Sequence, residues 1–355
     1  MMRAFAIAGV SALFGFALAG PAAAETIKLT VVAASPPTVT PVKATKEFFV
    51  PEINRLLAAS GKDTRIEWNE AYSQSLATFN EVLETVEEGV AHVGVLLKQF
   101  EEAKLPLEQY MYMLPFMRHT TRQMVAVDTK LHDTIPEMKA HYEKHGQVFL
   151  ISGGSGSQNL ITNFPVRSVD DMKGRKIGAS GAMGHWLRGT GAVIVTASMA
   201  QSYTDIKNGV YDGYPMSLTL AFPYKTYEAA PHLTMVGFGV LASSSLTVNT
   251  RTWRQLPAHV RDAFVAAAKQ WPDQQIAIDE ANEAKWREPM VNKGLKIAEM
   301  SLAERRRWAM QMPNIAQEWA DVLEKQGHPG RKVVKAYMDE VRSLGVEIAR
   351  HWDRE

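Results

Sequence analysis

The sequence predicts an α/β protein of two lobes, followed by a long helical C-terminal part. Three observations predict this architecture. Strand and helix patterns alternate over residues 26–97, a second α/β series covers residues 147–214, and three long helical patterns follow after about Leu256. The alternation in the first series indicates a largely parallel sheet, because a helix must carry the chain back between parallel strands.

The first lobe is predicted to contain three strands and two helices. Residues 26–32 alternate and are rich in β-branched side chains, which is typical of a strand. An amphipathic helix follows over residues 41–59, with its apolar side chains on one face. A strand at residues 64–70, a helix at 76–89 that ends at Gly89, and a strand at 91–97 complete the series.

The second lobe is predicted to begin with a buried strand at residues 147–154. Ser168 is expected to cap a short helix over residues 169–172, and residues 176–179 form the next strand. Helix and strand patterns then alternate again over residues 183–214. Since no linker rich in Gly or Pro separates the two series, the chain is expected to cross between the lobes over a cleft.

The helical C-terminal part contains several tryptophans at scattered helical positions. We expect them to pack against a core and not to form a ligand cage. They are Trp271, Trp286, Trp308, Trp319 and Trp352. The predicted domain boundaries are 25–152 plus about 242–270 for lobe 1, 153–241 plus part of 271–325 for lobe 2, and 326–355 for a C-terminal helix.

Residues 1–24 have the anatomy of a secretory signal peptide. Arg3 precedes an apolar run at residues 4–19, and an A-x-A cleavage site ends at Ala24. The run is short for a membrane span, so cleavage near Ala24 and export to a bacterial periplasm are expected in preference to an uncleaved anchor. The chain has no Cys and a formal net charge of +1, which argue against a disulfide-stapled domain and against nucleic acid as a partner.

Motifs for catalysis, cofactors or metals are not found in the sequence. Gly174 and Gly178 are not followed by the Lys-Ser or Lys-Thr of a phosphate-binding loop. Ser157 stands where a nucleophile elbow needs Gly. His141 and His145 lie one helical turn apart, but Glu is not next to the first His, as the zinc-protease motif requires. The sequence therefore predicts a cleft without an enzyme active site, a cofactor or a metal ion.

Two segments carry a family resemblance. "FPVRSVDDMKGRKI" resembles the pattern P-[IV]-x-S-x-x-D-[LM]-K-G-x-K-x-R, and "QSYTDIKNGVYDGY" resembles S-E-x-Y-x-A-L-x-x-G-x-[VI]-D-G. "MLPFM" and "WRQLPAHVRDAF" extend the likeness over nearly the whole chain after residue 24. These patterns are typical of the solute-binding proteins of TRAP transporters, the tripartite ATP-independent periplasmic transporters, of the dicarboxylate-receptor type.

The resemblance implies the two-lobed periplasmic binding protein fold, which closes over one small organic solute. It implies that the loaded receptor delivers this solute to TRAP membrane permease subunits, which use an ion gradient. It is compatible with a monomer or with a homodimer through swapped C-terminal helices. The residues themselves leave open an ABC-type receptor, a receptor that serves a signalling partner, and a secreted enzyme.

Three ligand positions of the family differ in this chain. The resemblance places a carboxylate-binding Arg at Gly178, a second Arg at Gln158 and an Asn at Met216. A buried carboxylate without a cationic partner is costly. The ligand is therefore apolar or uncharged, or Arg188 or Lys98 supplies the charge, although each is also explained as an ordinary surface side chain.

Aromatic side chains are expected in several segments that border the cleft by the resemblance. Aromatic walls with few polar anchors suit an aromatic or hydrophobic organic acid, which we predict as the ligand. For each side chain, packing in the core is an equally good explanation. The remaining predicted ligand-binding residues are Ser35, Tyr72, Phe116, Trp186, Tyr214 and Phe238.

Overall fold

The structure is a computed structural model, and it describes residues 25–355. The predicted signal peptide at residues 1–24 lies outside the described residues. Within the described part of the chain, none of the helices combines the length and the apolar character that a membrane crossing needs.

One mixed sheet joins both halves of the protein. Its strand order is β2-β1-β3-β8-β4-β7-β5-β6, and β9 pairs with β8. The strands of the described residues are β1 (Glu25–Val32), β2 (Thr64–Ala71), β3 (Val93–Leu97), β4 (Gln147–Thr162), β5 (Lys176–Ala179), β6 (Val193–Thr196), β7 (Gly213–Met216), β8 (His232–Asn249) and β9 (Lys296–Glu299).

Strands β4 and β8 are long enough to pass from one half of the protein to the other. They pair antiparallel along their length, with register shifts between Phe149 and Leu160. Strands β1, β2 and β3 extend the sheet from the C-terminal half of β8, and we call this group lobe 1. Strands β5, β6 and β7 extend it from the C-terminal half of β4, with β9 on β8, and we call this group lobe 2.

The helices pack on both faces of this sheet. The longest, α11, runs for 35 residues across the crossing strands and contains two prolines, Pro272 and Pro289. The α-helices of the described residues are α1 (Thr40–Ala44), α2 (Val50–Ala59), α3 (Val82–Glu87), α4 (Tyr110–Met113), α5 (Thr121–Thr134), α6 (Pro136–Lys144), α7 (Ser202–Lys207), α8 (Leu218–Ala221), α9 (Thr226–Ala229), α10 (Thr250–Gln255), α11 (Ala258–Asn292), α12 (Leu302–Gln311), α13 (Ile315–Lys325) and α14 (Gly330–Ser343).

The helices differ from the sequence prediction in three places. The helix expected over residues 41–59 contains a π-helical turn at Thr45–Phe49, just before Pro51, whose missing N–H interrupts the α-helical bonding. The helix expected over residues 76–89 begins only at Val82. The C-terminal helix α14 ends at Ser343, and Gly345 follows at φ +64, so residues 346–355 are not helical.

The tryptophans of the C-terminal part pack against the core, as predicted. Trp271 is fully buried in the lobe 1 core, where its indole N–H donates to Thr45 Oγ1 at 3.1 Å. Trp308 and Trp352 are fully buried in the largest core cluster. The predicted cap is also present, because Ser168 and Asp171 form a capping box at the 3₁₀ helix Val169–Met172.

Candidate functional site

A cavity lies where the two lobes, the crossing strands and α11 meet. It encloses about 600 Å³, part of which is open to solvent. Lobe 1 contributes the chain after β3 and the start of α1, and lobe 2 contributes β7 and the chain that follows it. Positions at strand ends that face a cleft are favoured ligand sites in α/β proteins. We call this space the interlobe cavity.

The exposed surface of the interlobe cavity is mostly apolar, although about half of the residues that line it carry a hydroxyl, amide or carboxyl group. Its apolar side chains come from both lobes and from β8, and the wall contains neither an aromatic side chain nor a Lys, Arg or His among the residues that the structure describes. A concave site with a largely apolar surface and a few polar groups is typical of sites for small organic molecules. The larger apolar side chains are Val39, Leu97, Met183, Met199, Leu220 and Leu241.

Asp279 is the one ionisable side chain that lines the cavity within residues 25–355. It is buried on α11, and its two carboxylate oxygens are held separately. The Thr40 hydroxyl donates to Oδ1, and the backbone N–H of Gly156 donates to Oδ2 at 3.1 Å. Burial raises the pKa of Asp279 to about 6, although these two hydrogen bonds act in the opposite direction.

Two buried amides in the cavity wall have unused hydrogen-bonding groups. The Gln158 Nε2 donates to the Ser155 hydroxyl at 3.3 Å and to the Gly156 carbonyl at 3.0 Å, whereas its Oε1 has no partner. The Gln275 Oε1 accepts from Ser244 at 3.3 Å, and its Nε2 has no partner. A buried polar group without a partner is costly, so both amides have unused hydrogen-bonding capacity next to the cavity.

Glycine at position 153 makes room for Gln275. A Cβ at Gly153 would lie 2.0 Å from Gln275 Nε2, so only a residue without a side chain leaves the amide in this position. The "GGSGS" stretch at residues 153–157, in which Ser157 stands where a nucleophile elbow needs Gly, thus lets α11 approach the crossing strands closely. Gly154 and Ser155 of the same stretch line the cavity.

Of the predicted ligand-binding residues, Gln158 lies in the cavity wall. Ser35 lines a smaller adjoining cavity, which shares Pro41 and Leu97 with the interlobe cavity. Tyr72 is buried in the lobe 1 core. Tyr214 and Met216 are fully buried in the lobe 2 core on β7, outside the cavity wall.

Gly178 lies on β5 and is also outside the cavity wall. A Cβ at this position would lie 2.7 Å from Cε2 and Cζ of the Tyr211 ring. Tyr211 is buried, so its ring fills the space that a side chain at position 178 would need. The structure therefore gives a local packing reason for glycine at position 178.

Three predicted aromatic residues form one buried cluster with Trp308. The rings of Trp186 and Phe238 stack at 4.9 Å, and Phe116 and Trp308 each lie 5.4 Å from Phe238. The indole of Trp186 donates to the Tyr112 carbonyl at 2.7 Å. The structure thus places these rings in the core, the other explanation that the sequence left open, and not beside the interlobe cavity.

Neither candidate for a replacement cation faces the cavity. Arg188 forms a two-pronged, part-exposed ion pair with Glu318, at 2.5 and 3.2 Å. Lys98 is fully buried, which corrects its interpretation as a surface side chain. Its Nζ lies 2.6 Å from Glu108 Oε2 and 3.4 Å from Asp128 Oδ1, and it donates to Ser152 at 2.8 Å.

His132 completes this buried charge cluster. Its Nε2 lies 2.8 Å from Glu108 Oε1, and its Nδ1 lies 3.2 Å from Asp128 Oδ2. Burial alone would lower the pKa of His132, but the two carboxylates outweigh it and raise that pKa to about 10. Glu108, Asp128 and His132 are close enough to hold a metal ion, yet Lys98 supplies the positive charge at this place. The positive charges of Lys98 and His132 balance the negative charges of Glu108 and Asp128, which indicates that the cluster is structural.

Asp279 and Gln275 are not among the predicted site residues, although their spacing in the sequence contains a signal. Buried side chains follow α11 at intervals of three or four residues, which marks its inner face. The apolar members of this face give way to polar ones after Trp271. A buried face that turns polar in mid-helix indicates a site. The residues are Val260, Phe264, Ala267, Trp271, Gln275, Asp279 and Asn282.

Residues 60–322 match the sequence profile of a family described as "Bacterial extracellular solute-binding protein, family 7". The chain belongs to this family. Its members are the solute receptors of TRAP transporters and not enzymes, so the resemblance inferred from the sequence motifs is confirmed. A curated relative, a solute-binding protein of a Sulfitobacter species, is 26% identical over 119 residues, which is 33% of this chain and 36% of that protein. The match thus spans about a third of that relative's length.

Solved structures of TRAP receptors have the same fold. A Bordetella pertussis extracytoplasmic solute receptor that binds pyroglutamic acid superposes with a TM-score of 0.75 at 19% identity, covering 88% of this chain and 99% of that one. A Chromohalobacter salexigens receptor with bound D-glucuronate gives 0.75 at 19% identity over 89% and 99%. A Desulfovibrio salexigens receptor with bound orotic acid gives 0.75 at 18% over the same shares. At these identities the likeness shows the two-lobed α/β fold.

Proposed function

We propose that this family 7 receptor captures one small, largely apolar organic solute in the interlobe cavity and delivers it to TRAP permease subunits from the periplasm. The observation that carries the proposal is the cavity itself. Both lobes and both crossing strands contribute to its wall, so a bound molecule would contact every part that must close over it. The hydroxyl and amide side chains of the wall, such as Thr219, Ser243 and Gln158, would supply the polar contacts that orient it.

The apolar wall supports the hydrophobic part of the predicted ligand class. The aromatic part has less support, since Trp186, Phe116 and Phe238 pack among themselves. The acidic part also has less support, because the wall offers the carboxylate of Asp279 and, within the described residues, no basic side chain. An organic acid is the alternative ligand class, because related receptors bind pyroglutamic acid, glucuronate and orotic acid.

Mass spectrometry of small molecules released from the denatured, purified protein tests the proposal. A cavity-filling variant, Leu220→Trp, is compared with Val322→Trp, which places the same side chain at an exposed position of α13. We expect wild type and Val322→Trp to release one small molecule per chain and Leu220→Trp to release much less. Equal release from both variants, or chemical conversion of the solute, would contradict the proposal.

Delivery is tested separately with proteoliposomes that contain the permease subunits encoded beside the receptor gene. Uptake of the co-purified solute should require the receptor and an ion gradient, and should not require ATP. Uptake that depends on ATP would instead indicate an ABC-type receptor. A receptor that binds solute but supports no uptake with any neighbouring permease would indicate a signalling role.

A further inference from the structure

We infer that the ligand of the interlobe cavity presents a protonated nitrogen to Asp279. This inference rests on the proposed function, since it assumes that the cavity is the solute site. It goes further by assigning the ligand's polar head. The ligand is an organic amine with an apolar body, in contrast to the organic acids seen in the related receptors.

The position of Asp279 is fixed before any ligand arrives. The Thr40 hydroxyl and the Gly156 N–H each donate to a different carboxylate oxygen. These donors come from lobe 1 and from crossing strand β4, so the carboxylate is held between the lobes on the inner face of α11. Each oxygen accepts one protein donor and can accept a further hydrogen bond, because a carboxylate has about four acceptor sites.

Within residues 25–355, the Asp279 carboxylate forms no ion pair. No Lys, Arg or His of this part of the chain lines the cavity, and the charged side chain that acts on Asp279, Glu283, is also acidic. A buried ionised carboxylate is stabilised by hydrogen bonds and by an opposite charge. Asp279 has the hydrogen bonds, and a ligand cation would supply the charge.

A ligand carboxylate would have the opposite effect. It would place a second negative charge near Asp279 in a space of low dielectric constant, where like charges repel strongly. The Arg188 guanidinium cannot relieve this repulsion in the structure, since it is paired with Glu318 on the surface. The Lys98 ammonium is buried in its own balanced cluster.

The rest of the wall is uncharged. Hydroxyl side chains such as Thr219, Ser243 and Ser244 line the cavity and can donate to or accept from neutral groups of a ligand. The body of the ligand contacts aliphatic side chains such as Leu97, Met183 and Leu241. An amine with a compact hydrocarbon body satisfies the charge of Asp279 and the apolar wall together.

Matched probes test the charge of the polar head. Each set contains an amine, the corresponding alcohol and the carboxylate of the same carbon skeleton: benzylamine, benzyl alcohol and benzoate; cyclohexylmethylamine, cyclohexylmethanol and cyclohexanecarboxylate; isoamylamine, isoamyl alcohol and isovalerate. Binding is measured by calorimetry and thermal shift on ligand-free wild type, Asp279→Asn and the control Glu283→Gln. Glu283 lies one helical turn further on α11, where it is half exposed and paired with Arg287.

In at least one set, we expect the amine to bind wild type and Glu283→Gln more tightly than its alcohol and carboxylate. Asp279→Asn should weaken amine binding by about a hundredfold, since loss of one partner of a buried charge pair is costly. Three results would overturn the inference. The carboxylate could bind best in every set, amine binding could keep its affinity in Asp279→Asn, or none of the amines could bind. A carboxylate bound in the cavity would leave the proposed function intact, whereas a protein that binds and releases no small molecule would contradict both.

Discussion

The ring of Tyr211 occupies the space that any side chain at Gly178 would need. A Cβ there would be 2.7 Å from two ring atoms and 2.9 Å from a third. The contact depends on the sheet, because β5 and β7 are neighbours and Ile177 pairs with Gly213. In the family pattern S-E-x-Y-x-A-L-x-x-G-x-[VI]-D-G, the position of Tyr211 holds Val or Ile. The larger volume of the Tyr211 ring therefore compensates for the missing side chain at Gly178.

Gly178→Ala should lower the free energy of unfolding by about 1–3 kcal/mol, because an added methyl group must displace a buried ring. Urea unfolding measures this loss. The control is Gly184→Ala, whose Cβ would lie 3.4 Å from Ile194, an ordinary contact, and it should change stability by less than about 0.5 kcal/mol. If both substitutions cost the same, the ring does not constrain position 178.

A double-mutant cycle tests the compensation itself. Gly178→Arg should unfold the protein or strongly destabilise it, whereas Gly178→Arg combined with Tyr211→Val should regain much of the stability, because the smaller side chain vacates the space. Additive effects of the two changes would mean that the residues are not coupled. Thermal unfolding of the four proteins gives the coupling energy.

Lys98→Met should destabilise the protein by about 3–5 kcal/mol, since it leaves Glu108 and Asp128 with one buried cation in place of two. Methionine retains most of the aliphatic stem, so the loss reports mainly on charge. The control Lys139→Met removes an exposed ion pair with Asp133 and should cost less than about 1 kcal/mol. Similar losses in urea unfolding for both variants would contradict a buried, balanced network.

The His132 ring should remain protonated in the folded protein well above neutral pH. Its folded-state pKa is raised to about 10 from an ordinary value of 6.5, so the stabilisation is complete below pH 6.5 and is lost as the pH rises towards 10. Nitrogen NMR of the imidazole at pH 8 checks this state, and urea unfolding from pH 6.5 to 9 checks the falling stability. A neutral ring at pH 8, or stability that does not fall, would refute the assignment.

Asp279→Asn should stabilise the ligand-free protein at pH 7.5. The pKa of Asp279 is raised from 3.8 to about 6, so the folded protein binds this proton more tightly than the unfolded chain. Stability therefore falls as the pH rises from about 4 to 6, and above pH 6 the buried charge costs about 3 kcal/mol, since a tenfold change in proton affinity corresponds to about 1.4 kcal/mol.

The Asn variant removes this charge and retains hydrogen bonding to Thr40 and Gly156, because an amide can accept from the N–H while donating to the hydroxyl. The free energy of unfolding should exceed that of wild type at pH 7.5 by about 1–3 kcal/mol and match it near pH 4. The control Glu283→Gln should follow wild type at both pH values. A variant less stable than wild type at pH 7.5 would show that Asp279 is stabilised by a partner in the ligand-free protein.

The fold could be predicted because local patterns specify it. The alternation of residues 26–32 and the cap at Ser168 depend on neighbours within a few positions, and both are present in the structure. Family membership was predictable for the same reason, since the glycines and acidic residues of the two motif segments shape local turns. Helix ends were less predictable, because the π-helical turn before Pro51 depends on the packing of a whole helix.

The site was harder to predict because its residues meet only through long-range packing. In the sequence, Lys98 resembles a surface residue at the end of a strand. Its charged partners Asp128 and His132 lie on α5, which only the tertiary packing places beside it. Asp279 and Thr40 are 239 positions apart in the chain. The buried face of α11 did contain a signal. At intervals of four residues, its side chains change from the apolar Trp271 to the polar Gln275 and Asp279.

The decisive experiment is a crystal structure of the protein with its co-purified solute. We expect one small organic molecule in the interlobe cavity, with a nitrogen atom within hydrogen-bonding distance of Asp279 and its hydrocarbon part against Leu241. A carboxylate held by Arg188 after a rearrangement of its pair with Glu318, or a solute bound outside the cavity, would contradict it.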